Sequence, residues 1–593
     1  MKIRTAVLTL LLVASTHASA QVGPLLWEDE FSSLDNWIAL TGNGSWGWGN
    51  GELQYYSPDN VSVAEIPGEP GNMGLRIEAR QQSGPGITDQ WGNPLQYTSG
   101  RLMSKSKVSV HYGMIEARVK VPDLDLGGWP AFWLLGTTNL GWPRSGELDM
   151  MEMGGKQSGR DLHDTHNGGL GTDDATVNEA VGANALFYTD AAVNPGNPSG
   201  AASLAYDPDD LYARPYYDQV DGLVDRFLIY RMYWDEDSIR FVVVDDGIEH
   251  DLFATPFTID EESDEFRQPF YMLVNLAIGG GFTDAAVLGE GGAPITMPLP
   301  AELWVDYVRV YEWNGQGEVK LGPPEFRQGS VGLFTDTTPT TTELVPTISS
   351  EIFVWEGTLV DGTIAPYEGD NVLTWRTDGK GWFGAGILAT QPLNVFDFGD
   401  GTLNFRIKMP ANVTFEIGII DAWGNQNYVE FPAFQTKYGL QRDGEWGQAM
   451  IPVQDIRGLA IDLRMLSYGF VILERQGTGA EFAIDDVYWD SGVATSVDGV
   501  ATTQRVKLLQ NAPNPFNART QIRFEMEAGG TYELTVFDQA GRLVRTFRGL
   551  GNRGENRIAW DGRDDTGHEV ASGVYYARLV GDDASAAKMV LLK

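Results

Sequence analysis

From about residue 22 to 315 the chain alternates apolar and polar residues in short runs separated by Gly and Asn turns. "GMIEARVKV" (113–121), "RFLIYRMYW" (226–234), "SIRFVVVDDG" (238–247) and "ELWVDYVRVYEW" (302–313) read as strands, because a period of two sends alternate side chains to one face. Helical spacing of apolar residues is nearly absent. Two packed antiparallel sheets account for the pattern. The stretch 156–222, rich in Gly, Asp, Asn and Ala, predicts long loops at one rim. Two more strand-patterned blocks follow, at 325–492, ending "AEFAIDDVYWDSG", and at 505–593, with "QIRFEM", "YELTVFD" and "GVYYARLV". "NGQGEVKLGPPEF" (314–326) and "TDTTPTTTELVPT" (335–347) read as linker or loop, and "VATSVDGVATTQ" (493–504) as a further linker. The fold class is therefore all-β, and 593 residues are too many for one core.

The first twenty residues follow a different logic. "MKIR" is a charged start, "AVLTLLLVA" a short apolar run, and "ASA" a small-residue end, which predicts a signal peptide over 1–20 and a mature chain from near Gln21. The apolar run is too short to span a bilayer. There is no cysteine, so no disulfide framework exists and an exported chain must rely on its cores, as in a bacterial secreted or cell-surface protein. The net charge of −39 argues against nucleic acid and anionic polysaccharides as main partners. Nearly all of that charge lies upstream of the last block, where 13 Lys and Arg face 11 Asp and Glu.

Candidate chemistry concentrates in "SGELDMMEMGG" (145–155), where Glu147, Asp149 and Glu152 sit among apolar residues. Glu147 and Asp149 share a strand face, whereas Glu152, five positions after Glu147, would face the other way in a regular strand. One extra residue in a β-bulge, Met150 or Met151, restores parity and aims all three carboxylates into one concavity. Neighbouring carboxylates raise one another's pKa, which suits glycoside hydrolysis, where one must be ionised and another protonated. From spacing alone, a calcium site or a solvated acidic face remains open.

The run 97–155, with "GGWPAFWLLG" ahead of "GELDMMEMGG", resembles glycoside hydrolase family 16, most of all its laminarinases, the endo-β-1,3-glucanases. "LLWEDEFSS", "WGWGNGELQYYSPDNV", "DRFLIYRMYW", "VNLAIGGGF" and "LWVDYVRVYE" extend the resemblance over 22–315. It implies a concanavalin-like β-jelly-roll sandwich with a substrate cleft, and a retaining mechanism with Glu147 as nucleophile, Glu152 as acid/base and Asp149 between them. Trp129, Trp133 and Trp142 would line the cleft, with a place in the core as the alternative. Asn50, Glu52 and Arg101 match positions that contact sugar hydroxyls, with loop anchoring equally open. The family often binds one structural calcium, whose ligands match Glu30, Asp306 and a backbone oxygen at Gly71 or Gly74; the chemistry itself needs no cofactor. Two positions depart from the family. Phe187 stands where a His is expected beside the nucleophile, with His163 and His166 as distant substitutes, and Phe282 replaces a Trp.

The block 325–492 is similar to galactose-binding-like carbohydrate-binding modules, with Trp355, Trp375, Trp382, Trp423 and Trp446 as candidate platforms and a spacer role as the alternative. "LLQNAPNPFNARTQIRFEM" and "WDGRDDTGHEVASGVYYARL" in 505–593 resemble C-terminal sorting domains of type IX secretion, with an Ig-like fold; a plain Ig-like spacer is the alternative. The expected partners are thus a β-glucan and an outer-membrane secretion machinery, for a monomeric chain. The competing functions are a family 16 hydrolase of a marine galactan, of agarase or carrageenase type, and a non-catalytic β-glucan-binding protein.

Overall fold

A computed structural model of the chain describes residues 21–82, 86–89, 91–160, 176–195, 197–204, 216–218, 222–253, 255–324, 327, 329–399, 401–492, 506–517, 519–526, 530–538, 543–551, 554–564, 570–579 and 586–592. The expected signal peptide, His163, His166 and the 493–504 linker lie outside them. The chain divides into two compact units, one reaching Ala494 and one spanning Thr495–Lys593.

The first unit opens with a two-sheet sandwich. Its back sheet contains β1 (Val22–Asp29), β2 (Met73–Gln81), β4 (Gly113–Lys120), β8 (Phe227–Trp234), β9 (Ser238–Asp245) and β11 (Ala301–Trp313), in the order β9-β8-β4-β11-β2 with β1 alongside β11. Its other sheet runs β7-β6-β5-β10-β3, where β3 is Arg101–Met103, β5 Gly128–Gly136, β6 Glu147–Met153, β7 Ala180–Tyr188 and β10 Phe270–Ile278. Alternation fixes the two faces of this sheet. Phe132 and Leu134 of β5, Met272, Val274 and Leu276 of β10, and Leu102 of β3 are buried between the sheets against Ile115, Ala117 and Val119 of β4. Trp129, Ala131, Trp133 and Leu135 of β5, Tyr271 and Asn275 of β10, and Arg101 of β3 line a cleft of about 760 Å³ on the opposite side.

Strand β6 breaks this alternation. Phe132 pairs with Met151 and Trp133 with Asp149, so Met150 is left out of register with β5. On the other edge Asp149 pairs with Asn184 and Glu152 with Gly182, so β6 advances by three residues while β7 advances by two. The extra residue lets Leu148, Met150, Met151 and Met153 all enter the core. It also returns Glu152 to the cleft face that Glu147 and Asp149 occupy.

The boundary near 315 lies differently from expectation. Within the supposed linker, β12 (Glu318–Leu321) pairs antiparallel with Val108–His111 on the cleft sheet. Four residues are too few for alternation to stand out beside Gly and Pro. The 335–347 stretch likewise belongs to the second sandwich, where Thr342–Glu343 pairs parallel with Val331 and Gly332.

That second sandwich has its own core, around Phe383, Phe405, Phe415, Phe470, Phe482 and Trp489. One of its sheets is built from Ser350–Val354, Phe383–Leu393, Leu466–Glu474, Phe415–Asp421 and Gln426–Phe431. It is docked on the first sandwich within the same unit. The Asn139 backbone donates to the Thr390 carbonyl at 2.7 Å, and its side chain to the Ala389 carbonyl at 3.0 Å. Lys105 Nζ donates to the Ala422 carbonyl at 3.1 Å. Trp423 joins an apolar cluster with Met103, Tyr271, Leu273, Trp133 and Leu135. The second unit is an Ig-like pair of small sheets around Ile522, Phe524, Leu534, Val536, Trp560 and Met589.

Deleting Met150 would shorten the step from Glu147 to Glu152 to four, so β6 could run regular with all three carboxyls still on the cleft face and one methionine lost from the core. The deletion is expected to cost roughly 2 to 5 kcal/mol, because a fully buried methionine side chain is removed from the core. Thermal unfolding measures it: a melting temperature equal to that of the intact chain would show that the strand does not need the extra residue.

Candidate active site

The carboxyls of Glu147, Asp149 and Glu152 converge in the cleft with Trp129, Trp133 and Trp142 around them. Trp129 Nε1 donates to Glu152 Oε1 at 3.1 Å. Trp142 lines the cleft beside Glu147, and its ring is half exposed. Trp133 donates instead to Asn275 Oδ1 at 2.8 Å, which fixes its ring along the cleft floor. The indoles therefore play three parts: one orients Glu152, one stands beside Glu147, and one forms a wall.

Burial raises all three carboxyls, and mutual repulsion adds to it for Glu147 and Asp149. Glu147 is pushed up to about 8, Glu152 to about 7, and Asp149 well above the usual carboxylate range. The protons are lost as a set, so these values belong to the group of three rather than to single residues. The Arg101 charge favours the anion of Glu147. Glu152 has the Trp129 hydrogen bond alone to favour its anion. The arrangement can hold a carboxylate and a carboxylic acid side by side near neutral pH.

Arg101 reaches the site through aromatic rings. Its guanidinium lies 4.7 Å from the ring centre of Trp48 and 4.8 Å from that of Trp133. Stacking on both faces holds a buried charge where water is scarce. Glu52 is 3% exposed and accepts hydrogen bonds from Gln54 Nε2 at 2.6 Å and Tyr56 Oη at 2.9 Å. Asn50 Nδ2 adds a longer contact at 3.4 Å. Of the two meanings left open for Glu52, these bonds support anchoring of the loop that carries Trp48 and Asn50 into the cleft.

Several expectations are corrected. Phe187 is not the neighbour of the catalytic strand's carboxyls; its ring packs toward the core, 5.7 Å from Phe257 and 6.0 Å from Phe266. The residue beside Asp149 is Asn184, its register partner on β7. Alternation in "GANALFYTD" points one face to the core and the other to the cleft, and the expectation took the wrong face. Phe282 replaces the family's Trp without opening a hole, because its ring stacks on Trp129 at 4.7 Å. Residues missed in the sequence include Asn184, Asn275, Trp48, Tyr271 and Lys105. Their positions depend on strand register and loop path, which no motif marks.

Glu30 and Asp306, expected as calcium ligands, each pair with an arginine. Glu30 pairs with Arg309 at 2.7 Å. Asp306 accepts from Arg118 at 2.6 Å and from Asn72 at 2.8 Å, and Arg118 also bridges to Glu69 at 2.7 Å. Each carboxylate faces a guanidinium rather than an oxygen cage, so the donor set does not fit the ion. Among the described residues no group of three His, Cys, Asp or Glu side chains is placed to hold a metal.

Three family models match the chain: "XgeA-like, catalytic GH16 domain" over 87–241, "Carbohydrate binding domain 30" over 334–491, and "FlgD Ig-like domain" over 514–585. The chain is 31% identical over 308 residues to glucan endo-1,3-beta-glucosidase A1 of Niallia circulans, covering 49% of this chain and 38% of that protein. It is 30% identical over 304 residues to a beta-glucanase of Rhodothermus marinus, covering 49% of this chain and 85% of that protein. The laminarinase catalytic domain of Thermotoga maritima shares 28% identity, with a TM-score of 0.35, over 49% of this chain and 99% of its own. The match to the Rhodothermus marinus enzyme runs along most of that protein, and the catalytic family model falls on the stretch that carries the bulged acidic strand. On both grounds the chain belongs to glycoside hydrolase family 16.

Proposed function

We propose that the chain is an endo-acting hydrolase of β-1,3-glucan that works by a retaining double displacement. The observation that carries this reading is the bulged strand that presents Glu147, Asp149 and Glu152 together in an indole-lined cleft. Glu147 attacks the anomeric carbon and forms a glycosyl ester, while Glu152 gives its proton to the departing glycosidic oxygen. Glu152 then takes a proton from water, whose oxygen displaces Glu147 and restores the original configuration. Asp149, whose carboxyl is pushed well above the usual carboxylate range by burial and by the charges of Glu147 and Glu152, sits between the two and adjusts both.

The cleft favours a neutral glucan over a sulfated galactan. Its cations among the described lining residues are Arg101 and Lys105. Arg101 is covered by Trp48 and Trp133, and Lys105 lies 5.6 Å from the Tyr271 ring centre and 5.3 Å from that of Trp423. Neither presents an open charge to a sulfate, and the net charge of −39 repels polyanions. The retained carboxyl set speaks against a purely binding protein. The second sandwich serves as a glucan-binding module, and the leader and tail carry the chain through the outer membrane, with the tail read by a type IX sorting machinery. The enzyme acts as a monomer at the cell surface or outside it.

Glu147→Gln is expected to lower hydrolysis of laminarin by roughly 10³-fold or more, since the nucleophile is lost without a change in volume. A reducing-sugar assay decides this, and activity within tenfold of the parent would remove Glu147 from the chemistry. The same assay should rank laminarin first, mixed-linkage glucan second and cellulose inactive, with about 10- to 200-fold lost per missing sugar contact. Faster release from agarose or carrageenan would assign another substrate.

The same substitution has a pH-dependent effect on stability. A carboxyl raised in the folded state binds its proton more tightly there than in the unfolded chain, so rising pH destabilises the fold between the two pKa values. Glu147 moves from 4.5 to about 8. Glu147→Gln should therefore leave the melting temperature unchanged near pH 4 and raise it increasingly up to about pH 8. A gain that is flat across this window would show that burial of the charge is not the cause.

Ending the chain at residue 494 should leave activity on soluble laminarin intact, because the removed residues form a separate compact unit. In the native host the shortened chain should remain cell-associated. Its normal appearance in the medium would deny the tail a sorting role.

A further inference from the structure

The exposed face of the second sandwich carries a strip of flat rings laid over glycines. A Cβ on Gly386 would lie 3.0 Å from the Trp355 ring and 2.8 Å from the Tyr468 ring. One on Gly384 would lie 3.0 Å from Trp355 and 3.1 Å from Trp382. The missing Cβ atoms let the rings lie flat on the sheet. Trp355 and Tyr468 are 5.4 Å apart with planes inclined by 38°. Of the five tryptophans read as candidate platforms, Trp355 and Trp382 belong to this strip. Trp375 is buried in the core, and Trp423 is spent on the contact with the first sandwich.

The strip does not stop at the domain boundary. Tyr468, with Leu388, Ile420 and Ser467, lines the same cleft as Glu147, Trp142 and Trp133. The docking contacts at Asn139 and Lys105 hold the two sandwiches together beside this cleft, whose lining comes from both.

We propose that the second sandwich builds one flank of the catalytic cleft, so that a single glucan chain lies across Trp142, Tyr468 and Trp355 while it is cleaved at Glu147 and Glu152. The inference rests on the glucanase reading and deepens it. The module is then part of the subsite row rather than a separate anchor that only concentrates enzyme on its substrate. Flat apolar rings favour the C–H faces of pyranose rings and are indifferent to the exact hydroxyl pattern. Long chains gain contacts that short oligosaccharides, filling only the first sandwich, cannot reach.

The test uses the full chain and compares kcat/KM on laminarin with that on laminaritetraose. Tyr468→Ala and Trp355→Ala are each expected to lower the long-to-short ratio by about tenfold, the loss of one good sugar contact. Tyr468→Phe, which keeps the ring, should keep the parent ratio. Equal losses on both substrates, or no loss on either, would overturn the composite cleft. So would a loss confined to insoluble glucan, the signature of a separate anchor. A parent chain that cleaves no β-glucan of any length would overturn the glucanase reading and the composite cleft with it, whereas cleavage with an unmoved ratio overturns the composite cleft alone.

Discussion

Everything at this site depends on one extra residue in one strand. A regular β-strand cannot put positions 147, 149 and 152 on the same face, because its side chains alternate. With Met150 out of register, two consecutive methionines enter the core and the following carboxyl returns to the cleft. The core accepts this because methionine is unbranched and fills irregular space. The bulge therefore satisfies two demands at once, a filled interior and a three-carboxyl cluster.

That cluster is expensive for the fold. Burial and repulsion hold its members above their usual pKa values, so the site holds protons that exposed carboxyls would have lost. The surrounding structure offsets this with the hydrogen bond from Trp129 and with the positive charge of Arg101. Arg101 in turn is kept in place by two indole faces, and Trp133 by Asn275. The aromatic residues that line the cleft thus also orient the charged ones. A substitution at Trp133 would disturb Arg101 and, through it, the ionisation of Glu147.

The second sandwich changes how the cleft should be seen. Its sheet meets the edge of the catalytic sandwich through backbone and lysine hydrogen bonds and through Trp423 in a shared apolar cluster. Such contacts fix an orientation that a flexible linker would leave free. The stretch expected as linker or loop contains Glu318–Leu321, a strand of the first sandwich's own sheet.

Much of this was legible in the sequence, and the limits of that legibility are specific. Period-two alternation gave the all-β class and placed strands at 113–121, 226–234, 238–247 and 302–313, because burial of one sheet face dictates it. The five-residue step from Glu147 to Glu152 required a bulge, since no regular strand satisfies it. Three residue-level expectations failed, each because it depended on a partner distant in the chain. Phe187 was assigned the wrong face because the register of β7 against β6 is set by pairing, not by its own alternation. Glu30 and Asp306 matched ligand positions, but the arginines that engage them come from other strands. Trp423 resembled a platform until packing placed it against Tyr271 and Leu273. The sequence by itself determined which strands form, where the extra residue falls and which carboxyls can act together, because these follow from local periodicity. Only the tertiary structure decided which charges neutralise one another and that residues near 420 and 468 share a cleft with residue 147, because contacts across hundreds of residues leave no periodic trace.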